Sequence, residues 1–74
     1  MNENTVAFIG AGNMARCLIA ALVKQGYPAE NIIASNRNAA KLATLAKDFG
    51  IQTTEDNVHA AQVADVIVLA VKPQ

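Results

Sequence analysis

Three small residues near the start of the sequence have the types and the spacing of an anion-binding turn. Gly10, Gly12 and Ala15 fit the pattern G-x-G-x-x-G/A. The first glycine of this pattern permits a sharp turn, and the second lets the backbone come close to a pyrophosphate. The small third residue lets a helix pack on the preceding strand. A helix that begins here would direct its free N–H groups at a doubly charged ligand.

The segments on either side of the turn have the periodicities that such a site requires. Residues 6–9 are an unbroken apolar run, which is typical of a parallel strand buried on both faces. After the turn the apolar spacing becomes helical, with an inner face predicted at Met14, Leu18, Ala21 and Leu22. A strand, a glycine-rich turn and a helix in this order favour dinucleotide binding over the alternative, a turn with no ligand.

The rest of the chain predicts three further strands and two further helices. Gly26 and Pro28 end the first helix, and Asn36 or Asn38 is expected to cap the second helix, which Gly50 ends. Strands are predicted at 32–35, 51–53 and 66–71, and a short helix runs from the acids at 55–56 to about residue 63. Right-handed crossovers then make the sheet parallel, with strand order 3-2-1-4 and flanking helices, a Rossmann-type α/β fold.

The length and composition limit the chain to one small domain and argue against binding to nucleic acid or to a membrane. The 74 residues carry no net charge and are 53% hydrophobic, which is enough for one small domain. The balanced charge gives no basic footprint for nucleic acid or for a membrane surface. A single cysteine excludes an internal disulfide, and no apolar run is long enough to cross a bilayer, so we expect a cytoplasmic protein.

Two further expectations concern metals and the extent of the chain. The one histidine stands alone and the carboxylates are dispersed, so we predict no metal site. The last predicted strand is strongly apolar, and nothing follows it in the sequence that would cover it. We therefore interpret residues 1–74 as the first part of a longer dinucleotide-binding domain.

The residues after the second predicted strand indicate which dinucleotide is bound. Proteins that use NAD usually carry Asp or Glu there, to accept hydrogen bonds from the ribose. This sequence instead has Ser35, Asn36 and Arg37, which can donate to a 2′-phosphate and do not repel it. We predict a preference for NADP(H) over NAD(H). The alternative is that these three residues form only a polar loop and a helix cap.

Four segments of the sequence share a pattern with a known family: residues 9–15, residues 33–37, Asn57, and Ala70-Val71-Lys72-Pro73 at the end of the last strand. Together they resemble the amino-terminal domain of pyrroline-5-carboxylate reductase, and the resemblance runs over essentially the whole chain. The glycine-rich turn is common to many folds, whereas the Ala-Val-Lys-Pro ending is more specific.

The resemblance implies an activity and a set of contacts. The family reduces Δ1-pyrroline-5-carboxylate to L-proline with NAD(P)H, by hydride transfer to a C=N carbon. The resemblance also implies three sets of cofactor contacts. The pyrophosphate would be bound by Gly10, Ala11, Gly12, Asn13 and Met14, and the adenosine ribose and its phosphate by Ser35, Asn36, Arg37 and Asn57. The nicotinamide would be contacted by Ala70, Val71, Lys72 and Pro73. The family's substrate residues and helical dimerisation domain lie beyond this stretch. We therefore assign no catalytic residue, expect a homo-oligomer, and expect residues 1–74 alone to be inactive.

Two other functions remain open at this point. A β-hydroxyacid dehydrogenase of the hydroxyisobutyrate type has a similar glycine-rich turn, but usually has glycine in the place of Ala15 and a different end to the fourth strand. A non-catalytic NADP-binding regulatory module would bind the cofactor without turning over either substrate.

Overall fold

The computed structural model describes residues 4–10 and 12–70, and its centre is a parallel sheet. Within these residues four short strands alternate with three α-helices, as the sequence predicts. A single 3₁₀ turn (Ala29–Asn31) precedes the second strand. The elements are β1 (Val6–Ile9), α1 (Asn13–Lys24), β2 (Ile32–Ser35), α2 (Ala39–Phe49), β3 (Gln52–Thr54), α3 (Asn57–Val63) and β4 (Val66–Leu69).

The strand order is β3-β2-β1-β4, which confirms the predicted order 3-2-1-4. Strand β1 is central, and its Ile9 lies opposite Ser35 of β2 and Leu69 of β4. Helices α1 and α2 pack on one face, where Ile19 and Leu42 share a core with Phe8. Helix α3 packs on the other face through Ala60. The sheet is therefore a middle layer, with crossovers on both sides.

Helix α1 turns a different face to the core from the one that the sequence predicts. Ala15 and Ile19 are fully buried, whereas Met14 and Leu18 are 68% and 43% exposed. Apolar residues occupy two helical registers one residue apart, and Leu22 belongs to both. The register that contains Ala15 faces the core, because the small side chain of Ala15 lets the start of the helix lie close against the sheet.

The ends of α1 and β3 show how far the sequence locates element boundaries. The C-terminus of α1 is a Schellman motif, in which Gly26 (φ 95°) donates to the carbonyl of Val23 and Tyr27 to that of Leu22, each at 3.0 Å. This confirms the predicted end of helix α1.

Strand β3 begins one residue later than predicted, because Ile51 packs into the core ahead of the strand. Strand β4 ends at Leu69, whereas the prediction ran to residue 71; Ala70 is not part of the strand, and residue 71 lies outside the described residues.

Asn38, one of the two predicted candidates, caps α2. Its Oδ1 accepts hydrogen bonds from the backbone N–H groups of Ala40 at 3.0 Å and Lys41 at 3.2 Å. We expect Asn38→Ala to lower the free energy of unfolding by about 1 kcal/mol, since it leaves these two donors without a side-chain acceptor. Asn38→Asp keeps the acceptor and should have little effect. Urea denaturation compares the two variants, and equal stabilities would contradict the capping role.

Two absences hold for the part of the chain that the structure describes. None of its helices is long and apolar enough to cross a membrane. Nor does it contain a group of three or more His, Cys, Asp or Glu side chains that could hold a metal ion.

Candidate functional site

The carboxyl ends of the strands bring the predicted site residues that the structure describes to one edge of the sheet. Gly10 follows β1, Ser35 ends β2, Asn57 begins α3 after the short loop that follows β3, and Ala70 follows β4. The chain leaves β1 towards one face of the sheet and enters β4 from the other. The gap between the carboxyl ends of β1 and β4 is therefore the topological switch point, where ligands bind in open α/β sheets.

Gly10 makes the turn that the sequence predicts. Its φ is 78°, a conformation that side-chain-bearing residues rarely adopt. Its N–H donates to the carbonyl of Ser35 at 3.0 Å, which joins the start of the turn to the end of β2. The backbone thus requires glycine at this position.

Gly12 is different, because nothing in the fold itself requires a glycine there. It is the N-cap residue of α1, with φ −101° and ψ −154°. A Cβ added at Gly12 would come no closer than 3.9 Å, to the carbonyl oxygen of Gly10, which is an ordinary contact. The absence of a side chain here therefore fits a ligand that approaches the backbone closely.

The N-terminus of α1 also has no capping side chain. Helices α2 and α3 each begin with a side-chain acceptor, Asn38 and Asp56, whereas α1 begins at Gly12. Asn13 and Met14 are exposed in the first turn of α1, which contains no acidic residue. No described side chain caps the first N–H groups of this helix, and an anion such as a pyrophosphate suits them.

The residues at the end of β2 contain no carboxylate, and they differ in exposure. Ser35 is fully buried, and its Oγ donates to Oδ1 of Asn57 at 2.6 Å. The backbone N–H of Asn36 donates to the carbonyl of Thr54, and its Oδ1 accepts from the N–H of Asn38. Arg37 is exposed, with no ion pair to any described residue. Of the three, only Arg37 presents a cation to solvent.

A cleft between α1 and α2 adds two cations that sequence reasoning missed. Its volume is about 270 Å³, and its lining is Gly12, Asn13, Arg16, Lys41, Thr44 and Leu45. The Arg16 guanidinium pairs with Asp48 and lies 5.0 Å from the centre of the Phe49 ring. Arg16 and Lys41 lie on different helices, and only the packing of those helices brings them to one cleft. No local motif could have identified the pair.

An apolar cavity lies on the other face of the sheet, beside α3 and β4. It measures about 480 Å³ and is lined by Ile9, Asn57, Val58, Ala61, Gln62, Ile67 and Leu69. Ala70 is buried, and its N–H donates to the carbonyl of Ile9 at 2.9 Å. Four predicted contact residues, Ala11, Val71, Lys72 and Pro73, lie outside the described residues.

The strand order, the glycine turn and the uncapped helix define a Rossmann-type α/β fold. The chain belongs to the family described as NADP oxidoreductase, coenzyme F420-dependent, which it matches over residues 5–74.

Similar proteins include several pyrroline-5-carboxylate reductases. The chain is 54% identical over 74 residues to the one from Vibrio alginolyticus, covering 100% of this chain and 27% of that protein. The solved structure of a pyrroline-5-carboxylate reductase from Coxiella burnetii superposes with a TM-score of 0.92 at 44% identity, over 97% of this chain and 27% of the other. Glutamyl-tRNA reductase from Methanopyrus kandleri superposes with a TM-score of 0.72 at 29% identity, over 96% and 18%.

These comparisons confirm the resemblance predicted from the sequence. The chain spans about a quarter of the length of the curated relatives it matches.

Proposed function

We propose that the chain is the cofactor-binding part of an enzyme that reduces Δ1-pyrroline-5-carboxylate to L-proline with NADPH. The observation that carries this proposal is the 54% identity to a pyrroline-5-carboxylate reductase over all 74 residues. The uncapped tip of α1 and the open space at Gly12 support the cofactor site independently of that likeness.

Residues 10–14 hold the pyrophosphate in this proposal. The turn at Gly10 directs the chain from β1 into α1, and Gly12 leaves room for a phosphate beside the backbone. The N–H groups of the first turn, at Asn13 and Met14, then donate to phosphate oxygens. Charge-assisted hydrogen bonds of this kind are about twice as strong as bonds between neutral groups.

The adenosine end of the cofactor lies at the carboxyl ends of β2 and β3. Ser35, Asn36 and Asn57 surround this position, and Arg37 supplies a positive charge for the 2′-phosphate. A guanidinium can form two parallel hydrogen bonds with a phosphate. This set of residues makes NADP(H) the preferred cofactor, with NAD(H) bound less tightly.

The nicotinamide end lies beside β4, at Ala70, Val71, Lys72 and Pro73. When bound, the cofactor supplies the hydride, which goes to the C=N carbon of the substrate. The contribution of this chain is to bind the cofactor and fix its orientation. Substrate contacts, proton donation and homo-oligomer formation belong to parts of the protein outside residues 1–74, and we place the enzyme in the cytoplasm.

The proposal is tested by an activity assay on the full-length protein. We expect NADPH consumption that depends on pyrroline-5-carboxylate and yields proline, with a slower reaction when NADH replaces NADPH. Turnover of 3-hydroxyacids with no imine reduction would instead identify a β-hydroxyacid dehydrogenase. Tight NADPH binding without turnover of either substrate would identify a regulatory module.

A further inference from the structure

The side chain of Ser35 lies on the α3 face of the sheet. Along β2, Ile32 and Ala34 belong to the core shared with α1 and α2, whereas Ile33 belongs to the core with Ala60 of α3. Because side chains alternate between the faces of a strand, Ser35 points to the same side as Ile33. It is fully buried there, and its Oγ lies 2.6 Å from Oδ1 of Asn57.

In this hydrogen bond the amide oxygen of Asn57 is the acceptor, so the amide turns its Oδ1 towards Ser35. A buried hydroxyl is costly without a partner, and the Asn57 carbonyl oxygen is the acceptor that Ser35 uses. With Oδ1 engaged, the remaining polar atom of the amide is Nδ2, which carries two donors and accepts no hydrogen bond. Asn57 as a whole is exposed at the carboxyl edge of the sheet. It therefore offers a ligand a donor.

We propose that Ser35 is a positioning residue for cofactor selectivity, which acts through Asn57 rather than by touching the cofactor itself. By holding Oδ1 inward, Ser35 makes Asn57 a hydrogen-bond donor to the 2′-phosphate, and donors bind a phosphate more strongly than a ribose hydroxyl. This inference rests on the proposed function, and it replaces the direct contact from Ser35 that the sequence suggests.

A double-mutant cycle in the full-length protein tests the inference. The four proteins are the unaltered one, Ser35→Ala, Asn57→Ala and the double variant, each titrated with NADPH and with NADH. We expect each single variant to lower the ratio of NADPH to NADH affinity by about 3- to 10-fold, the range of one hydrogen bond. The double variant should show no larger loss of this ratio than Asn57→Ala alone, because Ser35 acts only through Asn57.

Two outcomes of the cycle would overturn the inference. Additive losses in the double variant would mean that Ser35 contacts the phosphate itself. An unchanged ratio in Ser35→Ala would mean that the hydrogen bond serves the fold alone. Thr5→Ala, which removes a hydroxyl at the opposite edge of the sheet, is the control and should leave the ratio unaltered.

Asn57→Asp provides a second test that does not depend on the stability of Ser35→Ala. The carboxylate still accepts from Ser35, but it replaces the donor with a negative charge. NADPH affinity should fall by more than about 10-fold, the loss expected when one charged hydrogen bond is removed, while NADH affinity changes little. Equal losses for both cofactors would overturn the inference. An unaltered protein that binds neither nucleotide would instead overturn the proposed function.

Discussion

Gly12→Ala is expected to remove most NADP(H) affinity while it leaves the fold nearly as stable as before. The added Cβ has room in the fold, since its nearest contact is at 3.9 Å, and the φ of −101° suits alanine. The same methyl group would occupy the space through which a phosphate reaches the helix tip. Loss of one charged hydrogen bond lowers affinity by about 10- to 150-fold. Stability should change by no more than about 1 kcal/mol.

Gly26→Ala is the matched control, and the opposite pattern is expected. Gly26 has φ 95°, so a side chain there is strained by about 1–2 kcal/mol, although it meets no atom within 4 Å. It lies at the far end of α1 from the site, and NADPH affinity should be unaffected. Urea denaturation and NADPH titration of both variants give the comparison. A Gly12→Ala protein that binds NADPH normally would refute the pyrophosphate site.

Arg37→Ala is expected to cost about 10- to 150-fold in NADPH affinity and to leave NADH affinity almost unchanged. Arg37 is exposed, and no described residue forms an ion pair with it. Its charge is therefore available to a 2′-phosphate, the group that distinguishes NADPH from NADH. The measurement is a pair of fluorescence titrations on the full-length protein, one with each nucleotide.

Lys47→Ala supplies the control for the loss of one positive charge. Lys47 is exposed in the last turn of α2, away from the carboxyl edge of the sheet. Its removal changes the net charge as Arg37→Ala does, without changing the site. If both variants lower the NADPH affinity equally, the effect comes from net charge, and Arg37 has no specific role in selectivity.

Local patterns were sufficient to predict the sheet and the turn. An apolar run at 6–9 followed by Gly10 and Gly12 predicts β1 and its turn, and the alternation of strands with helices predicts the order 3-2-1-4. These features depend on residues close together in sequence. The constraint of right-handed crossovers then leaves few topologies to consider.

Features that depend on packing between distant elements could not be predicted in the same way. The predicted core face of α1 was wrong because two apolar registers compete on this helix. Only the contact of the helix with the sheet selects Ala15 and Ile19 over Met14. The cleft lined by Arg16 and Lys41 exists only once α1 and α2 are side by side.

Helix α1 begins without a side-chain acceptor for its first N–H groups, and this affects the stability of the protein when no nucleotide is bound. If the nucleotide supplies the acceptors that α1 lacks, its binding completes the helix, and the apoprotein is the less stable species. A ligand present at a hundred times its dissociation constant adds about 2.7 kcal/mol to the free energy of unfolding. That is a large share of the 5–15 kcal/mol typical of a domain. The stability of the protein would then follow the supply of the nucleotide, oxidised or reduced, because both forms carry the pyrophosphate.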